Sequence, residues 1–325
     1  MTTRLVVFPA FDGVVMIDLM GPLQAFAAAN REQPGRPSYE LVIVSPEGGA
    51  ITSSEGVTLM TQPFPAVGGR TIDTLVVAGG GDPLSPLVDR AVVEWVAGNA
   101  GRCRRVSSAC MGTFTLAASG LLAGRRATTH WLSYELFSAR HPEVRLERGP
   151  IFVRDGLLST SAGGTASIDL TLSLIDEDLG HRRSMAAARF LVVPLKRHGE
   201  QAQYSRALQL QSADDPSFAG LTAWVAANLS ADLRVERLAE HVGMSPRSFA
   251  RTFGSRTGTT PALAVEALRL EAARWAIEAT SQPLKAISRD CGFGNEQGLR
   301  RACLRHFGMP PQQIRAQSSR FVAAE

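Results

Sequence analysis

The sequence predicts two domains of different class: an α/β domain on a doubly wound parallel sheet, then an all-α domain with two helix-turn-helix units. Three observations carry this. Short apolar runs alternate with segments of helical periodicity up to about residue 180, the pattern of a parallel sheet with helices on both faces. Strand signals then stop, and every segment from 217 onward reads as helical. One pattern of helix, glycine turn and capped helix occurs twice near the C-terminus, at 235–256 and 284–307. A length of 325 residues exceeds one ordinary core and agrees with two domains.

Residues 4–8 (RLVVF) form a short apolar run ended by Pro9, as a buried strand requires. A helix is expected over 21–30, with Pro22 near its start and apolar residues at helical spacing. Strands are expected at 39–45 and 73–78, the second running into Gly79-Gly80-Gly81. Helices over 86–98 and 111–122 flank a strand at 104–108 that leads into Cys110. A last helix spans 181–193. The stretch 195–216 is polar and weakly periodic and ends in the helix-start signal Asp214-Asp215-Pro216, so it reads as a linker. The expected organisation is a first domain over 1–194, a linker over 195–216, a second domain over 217–317 and a tail over 318–325.

In the second domain, a helix over 235–242 turns Leu238, Ala239 and Val242 inward. Gly243 permits the tight turn, Ser245 is a good N-cap and Pro246 a good first helical residue. The next helix, 246–256, buries Phe249 and Phe253 and leaves Arg247, Ser248 and Arg251 outward. The second unit repeats this logic. A helix over 284–291 is followed by the turn at Gly292, and Asn295 caps a helix that buries Leu299 and Phe307. Glu296, Gln297, Arg300 and Arg301 lie outward, with Arg305 and His306 further on. The helix between the units, 261–280, would span ~30 Å, close to the ~34 Å turn of B-DNA, so both outer helices can enter successive major grooves. The candidate DNA contacts are Ser245, Arg247, Ser248, Arg251, Asn295, Gln297, Arg300 and Arg301.

The net charge of +4 fits a nucleic-acid binder. Lys196 and Lys285 are the only lysines; for the chain as a whole the excess of arginine reads as codon usage. Hydrophobic content of 45% and charged content of 20% argue for ordinary globular domains. No apolar run approaches the roughly 20 residues that span a bilayer, and the first residues are interrupted by Pro9 and Asp12, unlike a secretion signal. The four cysteines show no CxxC pair or zinc spacing. No metal, no cofactor and no membrane partner are expected, and the expected location is the reducing bacterial cytoplasm, at the nucleoid.

The most chemical segment is 107–131. A strand ends at Ser107-Ser108, Cys110 follows, Gly112 comes two later and a helix starts, which is the arrangement of a nucleophile elbow. A thiol at a helix N-terminus tends toward thiolate. Gly79-Gly80-Gly81 can offer N–H groups to an anion or carbonyl oxygen, and Asp18, just before Gly21-Pro22, can place a carboxylate at the same edge. Spacing alone leaves Cys110 equally readable as a small buried hydrophobe; the glycines favour the elbow. His130 is open to two readings, a base for Cys110 or an imidazole hydrogen-bonded within the fold.

Residues 217–317 resemble the AraC/XylS-type DNA-binding domain through Leu238-Ala239, Gly243-Met244-Ser245-Pro246-Arg247, Phe253, Pro261, Arg269, Cys291-Gly292-Phe293, Phe307-Gly308 and Pro310. Gly294-Asn295-Glu296-Gln297-Gly298 departs from the usual serine-rich turn, and Cys303 stands where the family often has Phe. Residues 4–190 resemble the PfpI-like, class I glutamine-amidotransferase-like domain through Asp18 with Gly21-Pro22, Val77-Ala78-Gly79-Gly80, Cys110 with Gly112, residues 124–131 (GRRATTHW), and Thr160-Ser161-Ala162-Gly163 with Asp169. The order of the two is similar to GlxA-type (FtrA-like) regulators. This implies a flavodoxin-like sheet, a DNA-binding transcription regulator, a small-molecule effector, a homodimer, double-stranded promoter DNA read in its major groove, and RNA polymerase as partner if it activates. The implied effector site is Asp18, Gly79, Gly80, Gly81, Cys110, Met111, His130 and Ser161. Met111 stands where proteases of the superfamily place His, so no enzyme is expected. Asp18 with Cys110 also resembles the acid–thiol pair of isocyanide hydratases, which makes Cys110, Asp18 and His130 the catalytic candidates of the alternative reading.

Overall fold

The computed structural model describes residues 3–31, 35, 37–193, 197, 199, 203, 216–257 and 259–320. The chain divides into two compact units, 1–203 and 204–325.

The first unit holds β1 (Arg4–Pro9), α1 (Met16–Asn30), β2 (Tyr39–Ser45), β3 (Gly49–Thr52), β4 (Thr58–Pro63), β5 (Thr74–Val77), β6 (Gly81–Asp82), β7 (Ser85–Pro86), α2 (Arg90–Asn99) and β8 (Arg105–Ala109). It continues with α3 (Gly112–Ala118), β9 (Arg126–Ala127), α4 (Tyr134–Arg140), β10 (Arg145–Leu146), β11 (Phe152–Asp155), β12 (Leu158–Ser161), α5 (Thr165–Leu179) and α6 (His181–Phe190). The main sheet runs β11-β12-β8-β5-β1-β2-β4-β3. Its six inner strands pair in parallel, and β11 and β3 close the two edges in antiparallel pairs.

Strand β1 shows why the sheet is covered on both faces. Successive side chains point to opposite sides, and here both sides are apolar. Leu5 and Val7 join the core beneath α2, α3 and α4, with Val92, Phe114 and Phe137. Val6 and Phe8 join the core beneath α1, α5 and α6, with Phe26, Leu170 and Ala187. Alternation would have produced a half-exposed strand; the unbroken run RLVVFP produces a central one.

The expected strands and helices of this unit recur with shifted ends, and three differences are instructive. Helix α1 begins at Met16 and not at 21, because the Glu55 carboxylate, supplied by the β3–β4 turn, accepts the Met16 N–H at 3.2 Å. Pro22 therefore lies inside the helix, where it cannot donate to the carbonyl four residues earlier. Strands β3 and β4 were not expected: they are short and largely exposed, β3 at the edge of the sheet and β4 beside it, with little apolar pattern to betray them. The stretch expected as linker falls mostly outside the described residues, but Arg197, Gly199 and Gln203 are held on the first unit by bonds to Asp169, Phe152 and Gly149.

The second unit is helical throughout its described residues: α7 (Pro216–Ala227), α8 (Val235–His241), α9 (Pro246–Thr257), α10 (Pro261–Ala279), α11 (Leu284–Asp290), α12 (Glu296–Phe307) and α13 (Pro311–Arg320). Helix α13 carries order past 317, into the segment expected as a tail. Helix α10 serves two cores. Ala264, Val265 and Leu268 pack with Leu238, Phe249 and Phe253, while Leu270, Ala273 and Ile277 pack with Ile287, Leu299 and Cys303. No helix of the described residues is long and apolar enough to cross a membrane.

Candidate functional site

Two sites arise, one in each unit. In the first, β8 delivers the chain to Cys110 and α3 carries it away. Cys110 sits at φ 55°, a left-handed conformation rare for a residue with a side chain. Neighbours hold it there: its N–H donates to the Ser161 carbonyl at 2.9 Å, and its carbonyl accepts the Thr129 hydroxyl at 2.9 Å. The approach is too close for side chains on two sides. A Cβ on Gly112 would lie 2.2 Å from the Val77 carbonyl oxygen, and one on Gly163 would lie 2.2 Å from Cys110 Cβ. Gly163 is also at φ +85°. The elbow read from the sequence is present.

Asp18, in the first turn of α1, is fully buried beside Cys110. Its Oδ1 accepts the Gly164 N–H at 2.7 Å, while Oδ2 has no partner in hydrogen-bond geometry. Burial raises its pKa to about 6; the Gly164 N–H and the neighbouring thiol oppose that rise, and Glu55 adds to it. Burial, then the Asp18 charge, push the Cys110 thiol well above its ordinary value. This corrects the expectation of a thiolate: desolvation and an adjacent carboxylate outweigh the short helix α3. The pair is a neutral thiol beside a carboxylate poised near neutrality.

Cys110 and Asp18 form the inner wall of a cavity of about 420 Å3, which also takes in Met111, His130, Gly81, Glu55, Trp131, Gly163 and Arg197. Met111 Sδ lies 2.9 Å from the Cys110 sulfur. His130 caps the turn that follows it, its Nδ1 accepting the Leu132 N–H at 3.4 Å, and burial lowers its pKa. Among the described residues it makes no hydrogen bond to Cys110 or Asp18, so the structure favours the imidazole bonded within the fold.

Three expected ligand residues are placed elsewhere. Ser161 is buried, donates to the Ser108 carbonyl and does not line the cavity. Gly79 and Gly80 pack behind it: a Cβ on Gly79 would meet Met111 N at 2.8 Å, and one on Gly80 the Phe11 ring at 2.6 Å. Gly81 reaches the cavity, but its N–H is taken by the Gly13 carbonyl. Of the three glycines only Gly81 lines the cavity, while the Cα faces of Gly79 and Gly80 are closely packed. Conversely, Glu55, Trp131 and Arg197 line the cavity and were not singled out. Trp131 adjoins His130 in sequence and was within reach of the reading; Glu55 and Arg197 arrive from an edge turn and from beyond α6, and Arg197 is oriented by Asp169 at 2.8 Å. Among the described residues no cluster of His, Cys, Asp and Glu could hold a metal.

In the second unit, α8–α9 and α11–α12 form the two helix-turn-helix pairs. Ser245 Oγ accepts the Ser248 N–H at 3.3 Å, and Asn295 Oδ1 accepts the Gly298 N–H at 2.9 Å. Both side chains act first as helix caps. Phe249 and Leu299 are fully buried, which turns Arg247 and Arg251 on α9, and Gln297, Arg300 and Arg301 on α12, to solvent. The structure then sorts the arginines. Arg234, Arg237 and Arg289 are paired with Asp232, Glu240 and Asp290, and Arg305 is held by Glu266. Arg269 donates to the Leu229 and Ala231 carbonyls. Arg247, Arg251, Arg300 and Arg301 make no ion pair among the described residues, so their donors remain available to phosphates and base edges.

Comparison with known proteins agrees with this division. Residues 4–177 match the DJ-1/PfpI family and residues 238–317 a helix-turn-helix domain. The chain is 27% identical over 312 residues to the HTH-type transcriptional regulator GbdR of Pseudomonas aeruginosa, covering 95% of this chain and 83% of that one. It is 32% identical over 174 residues to an isonitrile hydratase of Pseudomonas putida, covering 53% and 71%. A crystal structure of an AraC family transcriptional regulator from Pseudomonas putida shares the fold, with a TM-score of 0.52 at 20% identity over 58% of this chain and 99% of that one. The chain belongs to the DJ-1/PfpI family, joined to a C-terminal helix-turn-helix domain in the order of GlxA-type AraC-family regulators.

Proposed function

We infer that the protein is a DNA-binding transcription regulator whose first unit takes up a small molecule in the Asp18–Cys110 cavity and thereby changes what the second unit does on DNA. The observation that carries the DNA-binding part is the pair of outer helices, α9 and α12, presenting four arginines with no ion-pair partner among the described residues. Each contact that neutralises a phosphate releases a counterion, so affinity for a preferred site must fall steeply with salt. The effector must favour one arrangement of the protein over another, since equal affinity for both shifts nothing. We further propose a homodimer in the bacterial cytoplasm, because paired half-sites suit a two-fold protein, and contact with RNA polymerase if the protein activates. The test is anisotropy titration of the full chain against genomic promoter fragments across a salt series, with and without metabolite extract, and sedimentation at micromolar concentration. Binding without sequence preference under every condition defeats the regulator reading; a monomer throughout defeats the dimer.

One observation favours a second reading, Cys-dependent chemistry on a small electrophile: the left-handed elbow at Cys110 with Asp18 beside it. The buried neutral thiol weighs against it. Assays of the wild type and Cys110→Ser on isocyanides, amides and aldehydes decide; turnover lost in the variant supports this reading, and no turnover in the wild type removes it.

A further inference from the structure

The two outer helices differ by one charge. Between Pro246 and Thr257, α9 carries no acid. Helix α12 opens with Glu296 and Gln297, both exposed, on the same solvent-facing side as Arg300 and Arg301. A carboxylate on a surface that meets phosphates is repelled by DNA of every sequence. It is tolerable there if a base edge answers it. Helix closure does not require it, because Asn295 already caps α12. No neighbour neutralises it: Glu296 makes no ion pair among the described residues, although Arg300 stands four residues on, within reach of one. Four other acids of this unit, Asp232, Glu240, Glu266 and Asp290, each hold an arginine.

We propose that Glu296 is a specificity-determining residue, selecting a cytosine at the base pair that faces the first turn of α12. In the major groove the amino group of cytosine N4 is the donor a carboxylate accepts, whereas an amide in the same place pairs with adenine. The remaining exposed face, Gln297, Arg300 and Arg301, supplies the phosphate and base contacts that hold the helix in the groove. This rests on α12 being a DNA-reading helix.

The experiment is selection of binding sites from a randomised duplex library by the full chain, as wild type, Glu296→Gln and Glu296→Ala, followed by titration of single-base variants of the selected site at one salt concentration. The wild type is expected to prefer cytosine at one position by roughly tenfold. Glu296→Gln should move that preference to adenine, and Glu296→Ala should flatten it, with all other positions unchanged. Binding to unrelated duplex should strengthen in both variants, since a repelled charge is gone. Three proteins that select the same base at every position overturn the proposal and leave Glu296 as a favourable charge at a helix N-terminus. A wild type that selects no sequence overturns the DNA-binding reading and this inference with it.

Discussion

The two sites are built on opposite principles. At Cys110 the chain is packed until only hydrogen or backbone fits: Gly112 and Gly163 leave no room for a Cβ, Asp18 is buried, and both titratable groups are pushed toward their neutral forms. On α9 and α12 the functional groups are long cations in water, and the packing beneath them, Phe249 and Leu299, serves only to aim them. A pocket works by excluding water, so its residues are dictated by fit. A DNA-reading face works by charge held in solvent until phosphate replaces it, so its residues are dictated by what they are not bonded to. One substitution should therefore cost stability in the first unit and affinity in the second.

The largest effect is expected at Gly163→Ala. The residue sits at φ +85° and its Cβ would overlap Cys110. Left-handed strain and overpacking together cost about 2–5 kcal/mol. Calorimetry should show the unfolding transition of the first unit lowered by many degrees while that of the second unit is unmoved; a parent-like scan would break the close-packed account of the elbow.

Next in size is the pH dependence contributed by Asp18. Its folded pKa is raised from 3.8 to about 6, so the folded state holds this proton more tightly than the unfolded chain. The stabilisation is fully present below the unfolded pKa and is lost as pH rises through about 6. Across that window the difference is roughly 3 kcal/mol. Asp18→Asn should abolish this pH-dependent share in denaturant titrations at pH 4 and 7. An unchanged slope in the variant would mean that the carboxylate is not desolvated as described.

In the second unit, Arg247→Ala and Arg301→Ala should each weaken binding to the preferred site about tenfold and leave the melting temperature within a degree or two, as surface changes do. Loss of affinity accompanied by unfolding would erase the contrast between the units. The smallest effect is expected at Arg305→Ala. Because Glu266 already holds Arg305, affinity should change by no more than about twofold, in keeping with a solvated surface pair. A loss equal to that of Arg301→Ala would show that the pair opens on DNA.

Much of the second unit was legible because its signals are local. Glycine turns, Ser245 and Asn295 as caps, and Phe249, Phe253 and Leu299 at helical spacing are set by backbone geometry within a few residues. Ion pairing is not local: Arg305 and Arg301 look alike until Glu266, far away in the chain, is seen to hold one of them. In the first unit the parallel sheet was legible from unbroken apolar runs, and the elbow from Cys110 with Gly112. The composition of the cavity was not. Gly79 and Gly80 lie close-packed outside the cavity lining, and Ser161, bonded to Ser108, is also outside it. Glu55 and Arg197 carry no sequence signal, since each is defined by the element it meets.

By itself the sequence determined the class of both units, the position of the elbow and the helices that meet solvent, because periodicity, capping and glycine placement act over a handful of residues. Only the tertiary structure decided which cysteine chemistry is at hand, which glycines guard it and which arginines are held in ion pairs. Those properties depend on burial and on charges brought together from distant parts of the chain, and desolvation of Asp18 and Cys110 outweighs the local helix terminus that the sequence displays.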